Sequence, residues 1–375
     1  AEKPSVARDI ARVLGVHGRE QGSIGSGETR VTWCLGHLVE LAEPAVYDKA
    51  WKSWRMETLP MLPDGFKLKA RKGTSDQYAV VRGLMREASE VVNACDAGRE
   101  GELIFDNVYS LSGSKAPVLR LWISSMTDTA IRAGFANLRD GEAMLPLRDA
   151  ARCRSESDWL VGLNATRAMT LRARDGGGQA PLLSLGRVQT PTLAMMVQRE
   201  EAIEGFVPEV FWQVKVQLAV PDGAWEALWN EELPDGKRRD RVADRAAAQA
   251  VLDRIQGLGG LVTRVTRKKN REQPPLLYDL TTLQKEANRR FRFSAQRTLE
   301  LAQSLYEEHK VLSYPRTDSR HIGADQFDGL PEQLRSLGFG PYQVTAESVL
   351  QRWPVSLGKR VVGDKEVSDH HAIVP

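Results

Sequence analysis

Along the first fifteen residues the apolar positions fall on one side of a helical wheel, with Val6, Ile10, Val13 and Leu14 spaced by threes and fours. Pro4 suits the first helical position and Gly15 supplies a stop, so a helix over 4–14 is predicted. Residues 89–95, SEVVNAC, form a short apolar run that reads as a buried strand. DAGREG then turns the chain, and ELIFDNVYSL reads as a helix. Strand, acidic loop and helix follow in the order of an α/β sheet, where groups at the carboxyl ends of the strands face the ligand crevice. Residues 150–175 look helical, DGGGQ at 175–179 reads as a loop, and LGRVQTPTLAMMVQREEAI reads as a loop leading into a helix. From 210 the period changes to two. Val210, Trp212, Val214, Val216, Leu218 and Val220 share one face of a half-buried strand over 210–220. PDG and LPDGK mark turns, and GLVTRVTRKKN predicts a second strand with a basic end. Two helices follow, DLTTLQKEANRRF and SAQRTLELAQSLYEEH, with Asp279 and Ser294 as caps. Their layout is similar to a helix-turn-helix.

Composition adds bounds rather than an identity. The 375 residues suit about two or three domains. Hydrophobic residues at 42% and charged residues at 27% are ordinary for a globular protein. With 52 basic and 49 acidic residues the net charge is +3, so nucleic-acid binding depends on where the positive charge clusters. Cys34, Cys95 and Cys153 lie far apart and form no CxxC, which argues against a zinc ribbon or a disulfide framework. No apolar run reaches the roughly 20 residues of a membrane span, and no signal peptide is visible. These features give an intracellular, reducing compartment as the expectation. The opening AEKPSVARDIARVLG lacks Met and begins at a helix start, and the chain stops at DHHAIVP, so it reads as a fragment cut at both ends.

Four stretches carry chemistry. In CDAGREGEL, Asp96 and Glu100 sit four apart across a Gly-rich turn, and such carboxylates, with Glu2 as a third, can offer the hard oxygens that Mg²⁺ prefers. A solvated acidic turn is the plainer alternative. In AEKPS, Glu2 and Lys3 precede a helix N-terminus, which favours anions, and Lys3 is able to hold a phosphate as a point charge. In LSYPRTDS, Tyr314 is followed by the stiff Pro315 and by the fixed charge of Arg316. A phenol with a pKa of about 10 is a poor nucleophile unless cations offset the charge of the transition state. Attack on a phosphodiester conserves bond energy in a phosphotyrosine, so the cut reverses without ATP. In DHHAIVP, the adjacent His370 and His371 point apart in most backbones, which leaves one for a phosphate oxygen and one for a structural part. Taken singly, each stretch also fits a packed tyrosine, a surface lysine or a structural histidine.

Taken in order, these stretches resemble the type IA DNA topoisomerases, and bacterial topoisomerase III in particular. AEKPSVA resembles the opening Toprim glutamate-lysine motif and CDAGREGELIF the Toprim acidic motif. DWLVGLNATRAMTLRARD followed by LLSLGRVQTPTL resembles the DNA-groove segment. LSYPRTDS resembles the active-tyrosine motif and HHAIVP the downstream histidine motif. The likeness runs over essentially the whole chain, and the tyrosine motif and GRVQTPTL are its specific parts. It implies a multidomain α/β and α+β fold, an incomplete version of the family's toroid. The expected domains are Toprim at 1–145, the first part of a helical DNA-groove domain at 146–207, the first part of a β-rich arch at 208–273, and a winged-helix-like tyrosine domain at 274–375.

The resemblance implies that Tyr314 attacks single-stranded DNA and becomes linked to a 5′-phosphate. Arg316 and Lys3 stabilise the scissile phosphate, His370 belongs to the catalytic set, and Glu2 serves the leaving 3′-oxygen. Glu2, Asp96 and Glu100 are the expected Mg²⁺ ligands. His37, Thr166, Arg174, Ser184, Leu185, Gly186, Arg187, Val188 and Gln189 are the expected DNA-binding residues, with Arg187 on phosphate. Binding of that kind is salt-sensitive, and Trp and Arg side chains stack unpaired bases. The implied partner is single-stranded or underwound duplex DNA, with a helicase as a candidate protein partner, no membrane, a monomer, and a bacterial cytoplasmic, nucleoid-associated setting.

Two departures qualify the picture. Many family members carry D-x-D-x-E, whereas Gly98 gives D-x-G-x-E here, so the expectation is one firmly held Mg²⁺ through Glu2 and Asp96 rather than two. The resemblance implies strand passage that relaxes negative supercoils or decatenates DNA, but the strand expected before Glu2 and the return segment expected after the histidine motif are missing, so the alternative expectation is a fragment that binds or cleaves single-stranded DNA poorly and does not relax supercoils. The competing classes are a Toprim primase or nuclease, which has no use for LSYPRTDS, and a tyrosine recombinase, which lacks the acidic loop. A third is a non-enzymatic single-strand-binding module, which needs no Tyr314.

Overall fold

In the computed structural model, residues 1–25, 27–175, 181–367 and 370–375 are described. They fall into two compact units, Ala1–Arg187 with Pro274–Pro375, and Val188–Gln273.

The larger unit is built around a short sheet in which Val91–Asn93 runs parallel to Val118–Arg120, and the latter pairs antiparallel with Arg139–Asp140. Alternate residues of a strand face opposite sides. Val91 and Cys95 pack into a core with Leu38, Val81 and Phe105, while Val92 and Ala94 pack against a second core of Ala7, Ile10 and Ile131. Burial on both faces explains why SEVVNAC is continuously apolar instead of alternating. The helix Pro4–Leu14 forms where proline and glycine frame it, with Gly15 at φ 68 and its N–H returning to Ala11 and Arg12. Its buried face carries Ala7, Ile10, Ala11 and Val13, whereas Leu14, expected on that face, is exposed. Beyond the acidic loop, Arg99–Ser112 is the expected helix and buries Leu103, Ile104, Phe105 and Val108.

Leu145–Asp175 is a helix of 31 residues that begins five residues before the predicted start. It carries anchors for the preceding loops. The Trp159 indole donates to the Ala42 carbonyl at 3.0 Å, Asn164 brackets the backbone of Met61, and Arg167 donates to the Trp51 carbonyl. The loop expected over 175–179 lies, apart from Asp175, outside the described residues. Later in the same unit, Leu280–Phe291 and Ala295–Glu307 are capped as predicted, with Asp279 accepting from Thr282 N and Ser294 from Arg297 N. The loop beyond them is laced to the last residues. Ser313 N–H reaches the Val374 carbonyl at 2.8 Å, and Ala372 N–H reaches the His321 carbonyl at 2.8 Å.

The smaller unit contains the helices Gln189–Glu204 and Arg245–Ile255 and a hairpin of Lys215–Val220 with Gly223–Leu228. The alternation of Val216, Leu218 and Val220 holds, each half-buried between exposed neighbours. The strand is shorter than the predicted 210–220. It starts at Lys215, and Trp212 makes only an isolated bridge to Val242. The second predicted strand, GLVTRVTRKKN, is not one: residues 260–270 have no regular structure, and Leu261 is 87% exposed. Period-two apolarity makes a strand only where another backbone takes up the free N–H and C=O groups, and no such pairing is present at 260–270.

Candidate active site

Four separate pieces of the chain bring charged and aromatic groups together in the larger unit. The helix Pro4–Leu14 starts directly after Lys3, whose extended backbone places Glu2 and Lys3 at its N-terminus. Asp96 follows the strand Val91–Asn93, Tyr314 sits in the loop after Ala295–Glu307, and His370 opens the final segment. Lys3 Nζ lies 3.8 Å from Glu2 Oε1, 3.8 Å from Asp96 Oδ2 and 4.1 Å from the centre of the Tyr314 ring. His370 Nε2 is 3.3 Å from Asp96 Oδ2, and its ring is 4.4 Å from that of Tyr314. Tyr306 completes the wall, edge-on to Tyr314 at 5.3 Å.

The two carboxyls are driven apart electrostatically. Burial pushes Glu2 above the usual carboxylate range, and the negative charge of Asp96 adds to the push. Burial acts the same way on Asp96, but the His370 hydrogen bond and the Lys3 charge outweigh it and hold that carboxyl low. Lys3 loses solvation too, yet the charges of Asp96, Tyr314 and Glu2 raise it, so it stays a cation. One acid is therefore biased toward carrying a proton while its neighbour stays ionised, beside a fixed cation and a phenol. This division suits proton donation to a leaving oxygen and charge stabilisation at a phosphate.

Asp96 is held in place from behind. Arg120 is 0% exposed; its guanidinium donates to Glu102 Oε1 at 2.5 Å and to the carbonyls of Asn93, Cys95, Leu121 and Asp96. Asn93 donates to the same Glu102 oxygen and accepts from Cys95 N. Glu102 Oε2 is buried without a hydrogen-bond partner among the described residues. The next helix begins so close that a Cβ on Gly101 would lie 2.1 Å from the Asp96 carbonyl oxygen. The sequence reasoning missed Arg120, Glu102, Asn93 and Gly101. A signal was present for the first, because an arginine inside the apolar run APVLRLW must be paired if it is buried.

Glu100 meets His37, Oε1 to Nε2 at 2.6 Å, which raises His37 through that hydrogen bond. Among the described residues no group of three or more His, Cys, Asp or Glu gathers as a metal centre. Arg316 is exposed and donates to Gln303 Oε1 at 3.3 Å. His371 has a different partner, with Nδ1 2.7 Å from the Ala372 carbonyl oxygen, and burial holds it below the usual range. His37, Thr166, Ser184 and Leu185 line one cavity of about 500 Å³ with Asp158 and Trp159. Thr166 Oγ1 accepts from Leu185 N at 2.9 Å, and Arg187 grips Asp158 with two hydrogen bonds at 2.8 and 3.1 Å. Arg174 lies exposed in the last turn of the long helix, and Gly186 lies in the segment after Leu185. Val188 and Gln189 begin the smaller unit.

Comparison with protein families matches residues 1–126 to the Toprim domain and residues 143–375 to the DNA topoisomerase family. Over 377 aligned residues the chain is 43% identical to DNA topoisomerase 3 of Bacillus cereus and 40% identical to that of Bacillus subtilis, and each alignment takes in 100% of this chain and 50% of the relative. The chain thus spans about half the length of the curated relatives it matches. Among solved structures it is similar to full-length topoisomerase I of Thermotoga maritima, with a TM-score of 0.58 and 23% identity over 100% of this chain and 54% of that one. At that identity the likeness bears on the fold.

Proposed function

The chain belongs to the type IA DNA topoisomerases and carries a Toprim domain with part of the topoisomerase core, and on that premise we propose that it cleaves and rejoins single-stranded DNA without ATP through Tyr314. The observation that carries the reading is the position of Lys3, within 4 Å of both Glu2 and Asp96 and against the Tyr314 ring. The phenolic oxygen gives its proton to solvent water and forms a bond to phosphorus, the phosphorus–3′-oxygen bond breaks, and the leaving oxygen takes a proton from Glu2. Lys3 and His370 offset the charge on the phosphate, and the same steps reversed reseal the strand. Arg316 reaches the phosphate by leaving Gln303.

Glu2 and Asp96 suit Mg²⁺. Both are hard oxygen donors, Glu2 is destabilised as an anion beside Asp96, and Mg²⁺ is commonly held by one or two carboxylates with waters. A bound ion supplies charge neutralisation at the scissile phosphate. Glu100, held by His37, is the weaker ligand of the expected three. His37, Thr166, Arg174 and Ser184 to Gln189 serve as the strand-binding set, with Arg187 exchanging Asp158 for a phosphate. The proposed domains are Toprim at 1–145, a helical groove domain at 146–207, arch at 208–273 and a winged-helix-like tyrosine domain at 274–375. In the complete enzyme these would relax negative supercoils or decatenate DNA, with a helicase as a candidate partner in a bacterial cytoplasm. Among the described residues no helix is long and apolar enough to cross a membrane.

A second reading is a single-strand-binding module, favoured by the cavity that His37, Thr166, Ser184 and Leu185 line, which needs no Tyr314. An end-labelled single-stranded oligonucleotide separates the two. A denaturant-resistant adduct at a DNA 5′ end, absent in Tyr314→Phe, supports cleavage. Binding with no adduct leaves the binding module, and an adduct at a 3′ end sinks the type IA mechanism for this chain.

A further inference from the structure

The long helix Leu145–Asp175 holds a second segment along one of its faces. Leu183 N–H donates to Thr170 Oγ1 at 3.0 Å, and Leu185 N–H donates to Thr166 Oγ1 at 2.9 Å. Arg187 then closes on Asp158, Nε to Oδ1 at 2.8 Å and Nη2 to Oδ2 at 3.1 Å. Between these ties, a Cβ on Gly162 would stand 3.7 Å from the Leu185 carbonyl oxygen. Asp158, Gly162, Thr166 and Thr170 are spaced by fours, so they share one helix face, and residues 183–187 run antiparallel along it. The fastening is graded. Thr170 is 0% exposed, whereas the side chains of Asp158 and Arg187 are 43% and 49% exposed. A buried hydrogen bond is costly to break. An exposed ion pair contributes little and opens readily.

The open end of this fastening borders the groove. Asp158 lines the cavity of about 500 Å³ that also has His37, Thr166, Ser184 and Leu185 in its walls. The double grip of a guanidinium on a carboxylate has the geometry of its grip on a phosphate. On the strand-binding reading above, we propose that Asp158 is a specificity-determining residue: its carboxylate stands in for a phosphate on Arg187 and has to be displaced, so the groove takes a polyanionic strand and turns away a lone phosphate. A free anion meets an occupied guanidinium and gains a single contact by displacing the carboxylate. A strand already seated in the cavity presents its next phosphate to Arg187 at an effective concentration of about millimolar. One bidentate pair is then exchanged for another at nearly balanced energy. The buried bond to Thr170 keeps the segment on the helix while Arg187 turns. Arg187 and, less strongly, Arg154 hold Asp158 below the usual carboxylate range, so the released carboxylate retains a cation nearby.

The test titrates a fluorescent single-stranded oligonucleotide with the full chain, first in chloride and then with part of the chloride replaced by inorganic phosphate at constant ionic strength. It compares the unsubstituted chain with Asp158→Asn, Arg187→Ala and the two substitutions combined. Asp158→Asn is expected to bind about threefold tighter in chloride and to lose that gain in phosphate. The unsubstituted chain should be far less sensitive to the exchange of anions, and the combined variant should bind no tighter than Arg187→Ala. An Asp158→Asn chain that binds no tighter overturns the proposal. So does an equal gain with and without Arg187, which is plain removal of a repelling charge, and so does phosphate that competes equally with both chains. The two kinds of failure look different. Binding by none of the chains sinks the strand-binding reading itself, whereas binding that ignores Asp158→Asn sinks only the part given to Asp158.

Discussion

Asp96 leaves its strand under the grip of a fully buried guanidinium, whereas Tyr314 leaves its helix on a loop tied down by hydroxyls and peptide groups. Around the acid, Arg120 satisfies carbonyls of Asn93, Cys95 and Asp96 and shares Glu102 with Asn93, all out of solvent. Around the tyrosine, Ser313 bonds to Val374 and Ala372, Thr317 Oγ1 donates to the His370 carbonyl at 3.0 Å, and Ala372 N–H reaches His321. A buried charge network is costly to break at any point, while each neutral hydrogen bond is worth about 1 kcal/mol. The acid loop is therefore preorganised by its own domain. The tyrosine loop takes its place from the chain's last residues, which also bring His370, so one set of hydrogen bonds positions Tyr314 and His370 at once. Between the loops, Lys3 packs on the Tyr314 ring and His370 meets Asp96.

Substitutions sharpen the contrast, beginning with the largest effect. Tyr314→Phe keeps the ring contacts with Lys3, His370 and Tyr306 but removes the proposed nucleophile, so adduct formation on single-stranded DNA should disappear while unfolding by denaturant is nearly unchanged. Arg120→Met strands the Glu102 carboxylate in the core and costs about 3–5 kcal/mol of stability, read from urea unfolding. A loss under about 1 kcal/mol would show that the acid loop is no better braced than the tyrosine loop. Asp96→Ala leaves Glu2 as the lone acid beside Lys3. The Mg²⁺ needed for half-maximal adduct formation should rise at least about tenfold, and unchanged metal dependence would defeat the ligand assignment. Gly101→Ala drives a methyl into the Asp96 carbonyl and should cost about 1–3 kcal/mol through overpacking, with amide exchange at 96–100 rising first. Thr317→Val removes the bond to the His370 carbonyl for about 1 kcal/mol. Its sharper signature is a weakened adduct yield with DNA affinity retained, because Tyr314 and His370 both lose register.

Much of the larger unit was legible because its signals are local. Pro4 and Gly15 frame the first helix, Asp279 and Ser294 cap theirs, and SEVVNAC is apolar because both faces of its strand are covered. Where the sequence misled, the missing information was a partner. GLVTRVTRKKN has strand composition but no paired backbone at 260–270, and the predicted strand over 210–220 regularises only where Gly223–Leu228 pairs with it. Leu14 had the right period, but the helix Pro4–Leu14 buries Ala7 and Ala11 where it approaches its neighbours.

The sequence by itself determined which groups are available for chemistry: a phenol beside a proline and an arginine, an acidic turn after a strand, a Glu-Lys pair ahead of a helix, and two adjacent histidines. Those are matters of covalent order and local backbone preference. Only the tertiary structure decided that Lys3 stands among Glu2, Asp96 and Tyr314, that His370 and not His371 meets Asp96, and that Glu100 pairs with His37. These outcomes depend on which side chains share the same desolvated space after the chain closes on itself. Residues hundreds of positions apart meet there, and no local pattern encodes that distance.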